Sequence, residues 1–166
     1  MTFTYGKKTS SLAIFLCSLI IVSTSMAADI KNYSAKYSAN FNGMEIEADH
    51  RLEQLESGQF QQTLRAKNIF GKIDERALFS ISDNQQILPQ EYSYERSLLG
   101  KKRIEKQVFD WPNQELRYSK KNKVTSLPLQ SGYLDIVTQK LQLRLDLQSG
   151  KETLSCLLYT SPSPRD

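Results

Sequence analysis

From Tyr33 onward, apolar and polar residues alternate with the two-residue period of strands buried on one face. Tyr33, Ala35, Tyr37, Ala39 and Phe41 alternate with Ser34, Lys36, Ser38 and Asn40. Asn42-Gly43 follows, a pair favoured in two-residue hairpin turns. Met44, Ile46, Ala48, His50 and Leu52 then alternate with Glu45, Glu47, Asp49, Arg51 and Glu53. Such a turn sets one register: Phe41 faces Met44, Ala39 faces Ile46, Tyr37 faces Ala48, and on the other face Lys36 meets Asp49. A slip of one residue would send every apolar side chain to the wrong side.

The pattern continues. Glu56-Ser57-Gly58 predicts a turn, and Phe60, Leu64 and Ala66 share one face of a third strand. Asn68 to Lys72 predicts a turn around Gly71, followed by a fourth strand with Ala77, Phe79 and Ile81 on one face. After Asp83-Asn84, Tyr92 and Tyr94 lead a fifth strand, with Pro89 expected at its start because proline lacks a ladder donor. Leu98 to Arg103 turns through Gly100. Ile104 to Trp111 forms a sixth strand ended by Pro112-Asn113, and Glu115 to Ser119 and Lys123 to Leu127 form two shorter ones.

The period then changes. Over Tyr133 to Leu147, the residues Leu134, Val137, Leu141 and Leu145 fall near one helical face. Ser131 is the expected N-cap, and Gly150 follows the end. Leu141, Leu143, Leu145 and Leu147 also alternate as a strand would, but the length favours a helix. The expected fold is therefore mainly β: an antiparallel meander forming a curved sheet or half-barrel, with one C-terminal helix. Its apolar face must be sheltered by curling, by the helix, or by both.

The two ends of the chain read differently. Residues 1–27 have the parts of a signal peptide: Lys7 and Lys8, an apolar run from Leu12 to Val22, and Ser25-Met26-Ala27 at the cleavage site. The expected cut follows Ala27, with Ala28 as the alternative, which predicts an exported, periplasmic protein. An uncleaved anchor is the rival reading of the same run. Cys17 lies inside the run after Phe15-Leu16, the wrong place for a lipidated cysteine. At the other end, residues 156–166 read CLLYTSPSPRD, which resembles a translated transposon end and adapter from a sequencing library. A genuine Ser/Pro-rich tail is the rival reading. On the first reading the domain is 28–155, C-terminally incomplete after Ser155.

Charge narrows the choices further. The whole chain carries a net charge of +4, but residues 28–155 hold 19 Lys/Arg and 17 Asp/Glu, a net of +2. That balance gives no strong case for nucleic acid or for an acidic membrane from charge alone. The same stretch has no cysteine, so its stability must come from its core.

The residues resemble a known family. The opening Tyr-rich strand with Asn42-Gly43, Ile87-Leu88-Pro89 before a Tyr strand, and Phe109-Asp110 are part of the likeness. Tyr133-Leu134-Asp135-Ile136-Val137 with Leu143-Arg144 and Gly150 is its strongest part. Over roughly residues 30–155 they are similar to the periplasmic proteins catalogued as domain of unknown function 3108. The resemblance implies a signal peptide and a curved β-rich domain, with further strands after the helix. It supplies no catalytic residues, and its shape is similar to half-barrels that carry acyl chains.

Candidate chemistry is sparse. His50 is the single histidine and sits on the apolar face near Tyr33 and Tyr37. Without a second His or a Cys to complete a metal site it reads as a hydrogen-bonded core residue rather than a ligand or base. Glu45, Glu47 and Asp49 read as a solvated face paired with Lys36, Arg65 and Lys67. Lys101-Lys102-Arg103 and Lys120-Lys121-Lys123 read as charged turn tips that protect sheet edges, or as contacts for phosphate headgroups. No catalytic motif, metal spacing or cofactor motif is present. The aromatic set mostly fills a core. A subset (Tyr37, Phe41, Phe60, Phe79, Tyr92 and Tyr94) is the candidate lining for a lipid or other apolar ligand. The alternative is a structural or assembly partner of another envelope protein, acting through sheet edges.

Overall fold

The computed structural model describes residues 30–121, 123–151 and 157–158. The expected signal peptide lies outside the described residues, as do most of residues 156–166. Eight strands form one antiparallel sheet in sequence order: β1 (Tyr33–Phe41), β2 (Met44–Gln54), β3 (Phe60–Asn68), β4 (Gly71–Ile81), β5 (Ile87–Leu98), β6 (Lys101–Asp110), β7 (Glu115–Lys120) and β8 (Lys123–Pro128). The sheet is open: β1 and β8 are its two edges. A short strand β9 (Tyr133–Leu134) leads into helix α1 (Ile136–Gln148), and β10 (Leu157–Leu158) pairs with β9 in parallel.

The first hairpin has the register its turn dictates. Phe41 pairs with Met44, Tyr37 with Ala48 and Lys36 with Asp49. Asn42 and Gly43 both take positive φ (51° and 78°), the backbone twist that matches two right-twisted strands. The β3–β4 turn differs from its expected centre. Asn68 and Gly71 are ladder partners, so Ile69-Phe70 forms the turn, held by the Asn68 side chain accepting from the amides of Phe70 and Gly71, both at 2.9 Å. Gly71 is needed for close approach instead. A Cβ there would lie 2.2 Å from the Ser97 carbonyl oxygen on β5. Pro89 is not the first residue of β5 either. It sits where the β4–β5 register shifts between Leu78 and Phe79, a bulge that needs no ladder donor. Its carbonyl accepts from Trp111 Nε1 at 2.6 Å.

The helix starts later than the sequence pattern suggests. Tyr133 and Leu134 are extended because they pair with Leu157 and Leu158. The N-cap is therefore Asp135, not Ser131. The Asp135 carboxylate accepts from the amides of Val137 (2.8 Å) and Thr138 (2.9 Å), and the Thr138 hydroxyl accepts from the Asp135 amide at 3.0 Å. This reciprocal pair satisfies three otherwise orphaned donors. Leu141 and Leu145 are buried while Leu143 and Leu147 are exposed, so helical rather than strand periodicity decides which leucines face the core.

The main core lies between α1 and one end of the sheet. Leu141 and Leu145 pack with Leu52, Phe79, Ile87 and Leu134, and Val137 packs with Ala77 and Tyr92. Each such aliphatic side chain contributes roughly 1.5–3 kcal/mol when fully buried. Gln142 fixes the helix in place: its side-chain oxygen accepts from the Ile87 amide at 2.7 Å, and its nitrogen donates to the Gln85 carbonyl at 3.1 Å. A third cluster of Phe109, Leu116 and Leu129 closes the β6–β8 side.

Candidate functional site

Ladder partners define rows across the face that α1 packs on. The row beneath the helix holds Phe60, Phe79 and Pro89. The next holds Tyr33, Leu52, Gln62, Ala77, Tyr92 and Gln107. Beyond it come Ala35, His50, Leu64, Glu75, Tyr94 and Glu105, and then Tyr37, Ala48, Ala66, Ile73, Arg96 and Arg103. The last row includes Ala39, Ile46, Gly71 and Leu98. Thus the face changes character along the strands: apolar under the helix, polar in the middle, small and apolar beyond, with arginines on the β5–β6 side.

The polar middle is tightly bonded. His50 Nε2 lies 3.0 Å from the Tyr33 hydroxyl and 2.7 Å from the Gln62 side-chain amide, in hydrogen-bond reach of both. The Tyr33 and His50 rings meet edge to face, with centroids 5.1 Å apart. Burial pushes the His50 pKa below its ordinary 6.5, helped by Lys140 and opposed by Glu75 and Asp49. The Tyr92 hydroxyl donates to Glu75 at 2.7 Å, and burial, that bond and the Glu75 charge push the phenol far above its ordinary range. Burial also pushes the Glu105 carboxyl up, but hydrogen bonds from Arg103 and Lys120 outweigh it and leave the pKa lowered. His50, Glu75 and Glu105 are each engaged by a neighbouring side chain, and among the described residues no cluster of His, Cys, Asp and Glu is placed to hold a metal ion.

The sequence-predicted lining residues divide between two environments. Phe79 is fully buried (0% exposed) and stacks on Phe60, with ring centroids 5.7 Å apart; both belong to the core under α1. Tyr92 is buried against Val137. Tyr94 is half-buried, and Tyr37 is 56% exposed. Phe41 pairs with Met44 in the register, and its side chain lies outside the described residues. The helix therefore takes Phe60, Phe79 and Tyr92 for the core, with half-buried Tyr94 packed against the Tyr92 and Val137 cluster, and leaves Tyr37 on the part of the face beyond it.

That part carries residues the aromatic pattern did not single out. A shallow groove of about 220 Å³ is lined by Ile46, Ala66, Ile73 and Leu98, with Lys67, Lys72 and Arg96 at its border. The small side chains of Ala35, Ala48 and Ala66 keep this region low. Alternation alone marks them as inward-facing, but nothing local says that α1 stops short of them. A larger groove of about 720 Å³ is lined by Tyr37, Ala48, Ala66 and Ile73 together with the charged residues Lys36, Glu47, Asp49, Arg65, Lys67 and Asp74. The charged residues belong to the opposite face, where Lys67 pairs with Glu47 at 2.8 Å and Arg65 with Asp74 at 3.1 Å. An apolar ligand there would have to displace ion pairs, so the smaller groove is the better candidate for apolar chemistry.

Fold and site together define a class: an open antiparallel meander, one face half roofed by a C-terminal helix and half left as small apolar rows bordered by arginines. Within that class, the chain belongs to the family described as "Protein of unknown function (DUF3108)", whose pattern covers residues 33–160. No curated protein and no solved structure matches the chain.

Proposed function

We propose that this is an exported envelope protein, not an enzyme, that binds an amphipathic lipid or similar apolar ligand on the part of the sheet face beyond α1. One observation carries the reading. The helix packs on the Phe79 and Tyr92 end of the face, while Ala48, Ala66 and Ile73 lie beyond it in the same row as Arg96 and Arg103. An acyl chain laid on the alanine rows would be held mainly by area burial, at roughly 25 cal/mol per Å2 of apolar surface. An anionic head group would meet the Arg96 guanidinium, which binds phosphate or carboxylate through planar paired donors, while Arg103 stays paired with Glu105 beside it. The residues that most resemble catalytic groups, His50 and Glu75, are engaged by Tyr33, Gln62 and Tyr92, which supports binding over chemistry.

The test is native mass spectrometry of the full-length protein purified from periplasm. The reading expects a lipid-sized adduct that organic extraction removes. Protein that is free of adduct and has no hydrophobic-dye site would contradict it.

A second reading, an assembly partner acting through sheet edges, is supported by the open edges at β1 and β8. Adduct-free protein that crosslinks to an envelope protein through β1 or β8 would favour it over the first.

A further inference from the structure

An antiparallel meander sends alternate turns to opposite ends of its sheet, and here the two ends differ in charge. The turns after β2, β4 and β6 lie at the α1 end. Their segments 53–59, 82–86 and 110–115 contain Glu53, Glu56, Asp83, Asp110 and Glu115 and no Lys or Arg. At the far end, segments 67–72, 97–103 and 119–124 contain eight Lys/Arg and no Asp or Glu. The remaining far-end turn, at Asn42-Gly43, is followed by Glu45. Acidic residues in the strand bodies pair with several of these cations: Glu47 with Lys67, Glu95 with Lys72 and Lys102, and Glu105 with Arg103 and Lys120. Lys101, Lys121 and Lys123 join no ion pair among the described residues.

The same end presents large apolar side chains to solvent. Ile69 is 84% exposed and Leu99 72%, and Phe70 and Leu98 are also exposed. Turn chemistry does not ask for them, because two-residue turns favour Asn, Gly and Asp. Leu99 even takes φ +48°, a left-handed backbone that suits glycine or asparagine far better than leucine. Nor does core packing ask for them.

From this arrangement we infer that the far end is a docking surface for an anionic phospholipid bilayer. The basic ring supplies attraction to the negative surface, and the Ile69-Phe70 and Leu98-Leu99 tips enter the boundary between headgroups and acyl chains. Nucleic acid would use the cations but leave the apolar tips in water. The uncovered rows of the sheet open toward this same end, but the docking does not depend on a ligand there.

The test uses the full chain with Ile69→Trp, and separately with Leu99→Trp, on vesicles of phosphatidylglycerol and phosphatidylcholine that carry brominated acyl chains. The introduced indole should be quenched, and Trp111, at the α1 end, should not. Reversing Lys101, Lys121 and Lys123 to Glu should weaken vesicle binding at least about tenfold, and added salt should weaken the wild type in the same direction. Unchanged thermal melting of each variant would keep misfolding out of the reading. No quenching of either introduced indole would overturn the proposal, as would equal quenching of Trp111 or binding indifferent to the charge reversals. A blue-shifted indole in vesicle-free buffer, marking contact between copies of the chain, would also overturn it. These results are independent of whether a lipid adduct is found on the sheet.

Discussion

The amide of Leu99 donates to the carbonyl of Phe70 over 3.0 Å, tying the β5–β6 turn to the β3–β4 turn beyond the end of their ladder. The close approach has a sequence requirement at Gly71, beside the Ser97 carbonyl. Gly71→Ala should therefore destabilise the protein by roughly 1–3 kcal/mol, the usual range for overpacking a tight site. Urea denaturation followed by circular dichroism measures it. An unchanged midpoint would mean that the two turns are less closely fitted than described.

Core and open face should respond differently to truncation. Phe79→Ala should cost roughly 3–5 kcal/mol, because Phe79 is fully buried between Phe60 and the helix. Tyr37→Ala should stay within about 0.5 kcal/mol, because most of its side chain is already in water. Denaturation midpoints at constant slope decide this, and similar losses at the two positions would contradict the division of the face.

Asp135 is buried, and one of its carboxylate oxygens, Oδ2, has no hydrogen-bond partner among the described residues. Burial pushes its pKa above the ordinary 3.8 despite its bonds to Thr138 and Val137. The stability it contributes is therefore full below 3.8 and is lost as pH rises through the raised value. Asp135→Asn keeps a cap acceptor and removes the buried charge, so it should be neutral or stabilising at neutral pH. Asp135→Ala loses the cap and should cost roughly 0.5–2 kcal/mol. Thermal melts of the two variants check the difference in sign.

His50 works in the opposite direction. A histidine with a lowered pKa contributes stability that is present above 6.5 and is lost as pH falls through its folded value. Protonation would also leave both ring nitrogens as donors only, changing the contacts that Nε2 makes with Tyr33 and Gln62. Unfolding free energy should fall between about pH 7.5 and about pH 5.5, across the ordinary histidine range. His50→Gln should flatten that slope. An equal slope in the variant would assign the pH dependence to other groups.

Much of this architecture was legible from the sequence because strand period and turn chemistry are local. Asn42-Gly43 sets the first register by itself, and alternation placed Tyr37, Phe60, Phe79, Tyr92 and Tyr94 on one side of the sheet. Features that depend on distant partners were not legible. The turn within Asn68 to Lys72 was legible, but its centre falls on Ile69-Phe70 rather than Gly71, because that pair lacks the usual turn composition. Asp135 rather than Ser131 caps the helix because β9 holds Tyr133 and Leu134 extended. Above all, alternation does not reveal where α1 stops, and that decides that Phe79 is core while Ala66 lies in a groove.

The binding claim is tested most directly by an NMR titration of the protein with decyl phosphate, held below its micelle concentration. Methyl and amide shifts should move at Ala48, Ala66, Ile73 and Arg96 and stay still at Leu141 and Leu145. Shifts centred on the helix, spread over both faces of the sheet, or absent altogether would contradict a ligand seated on the rows that α1 leaves uncovered.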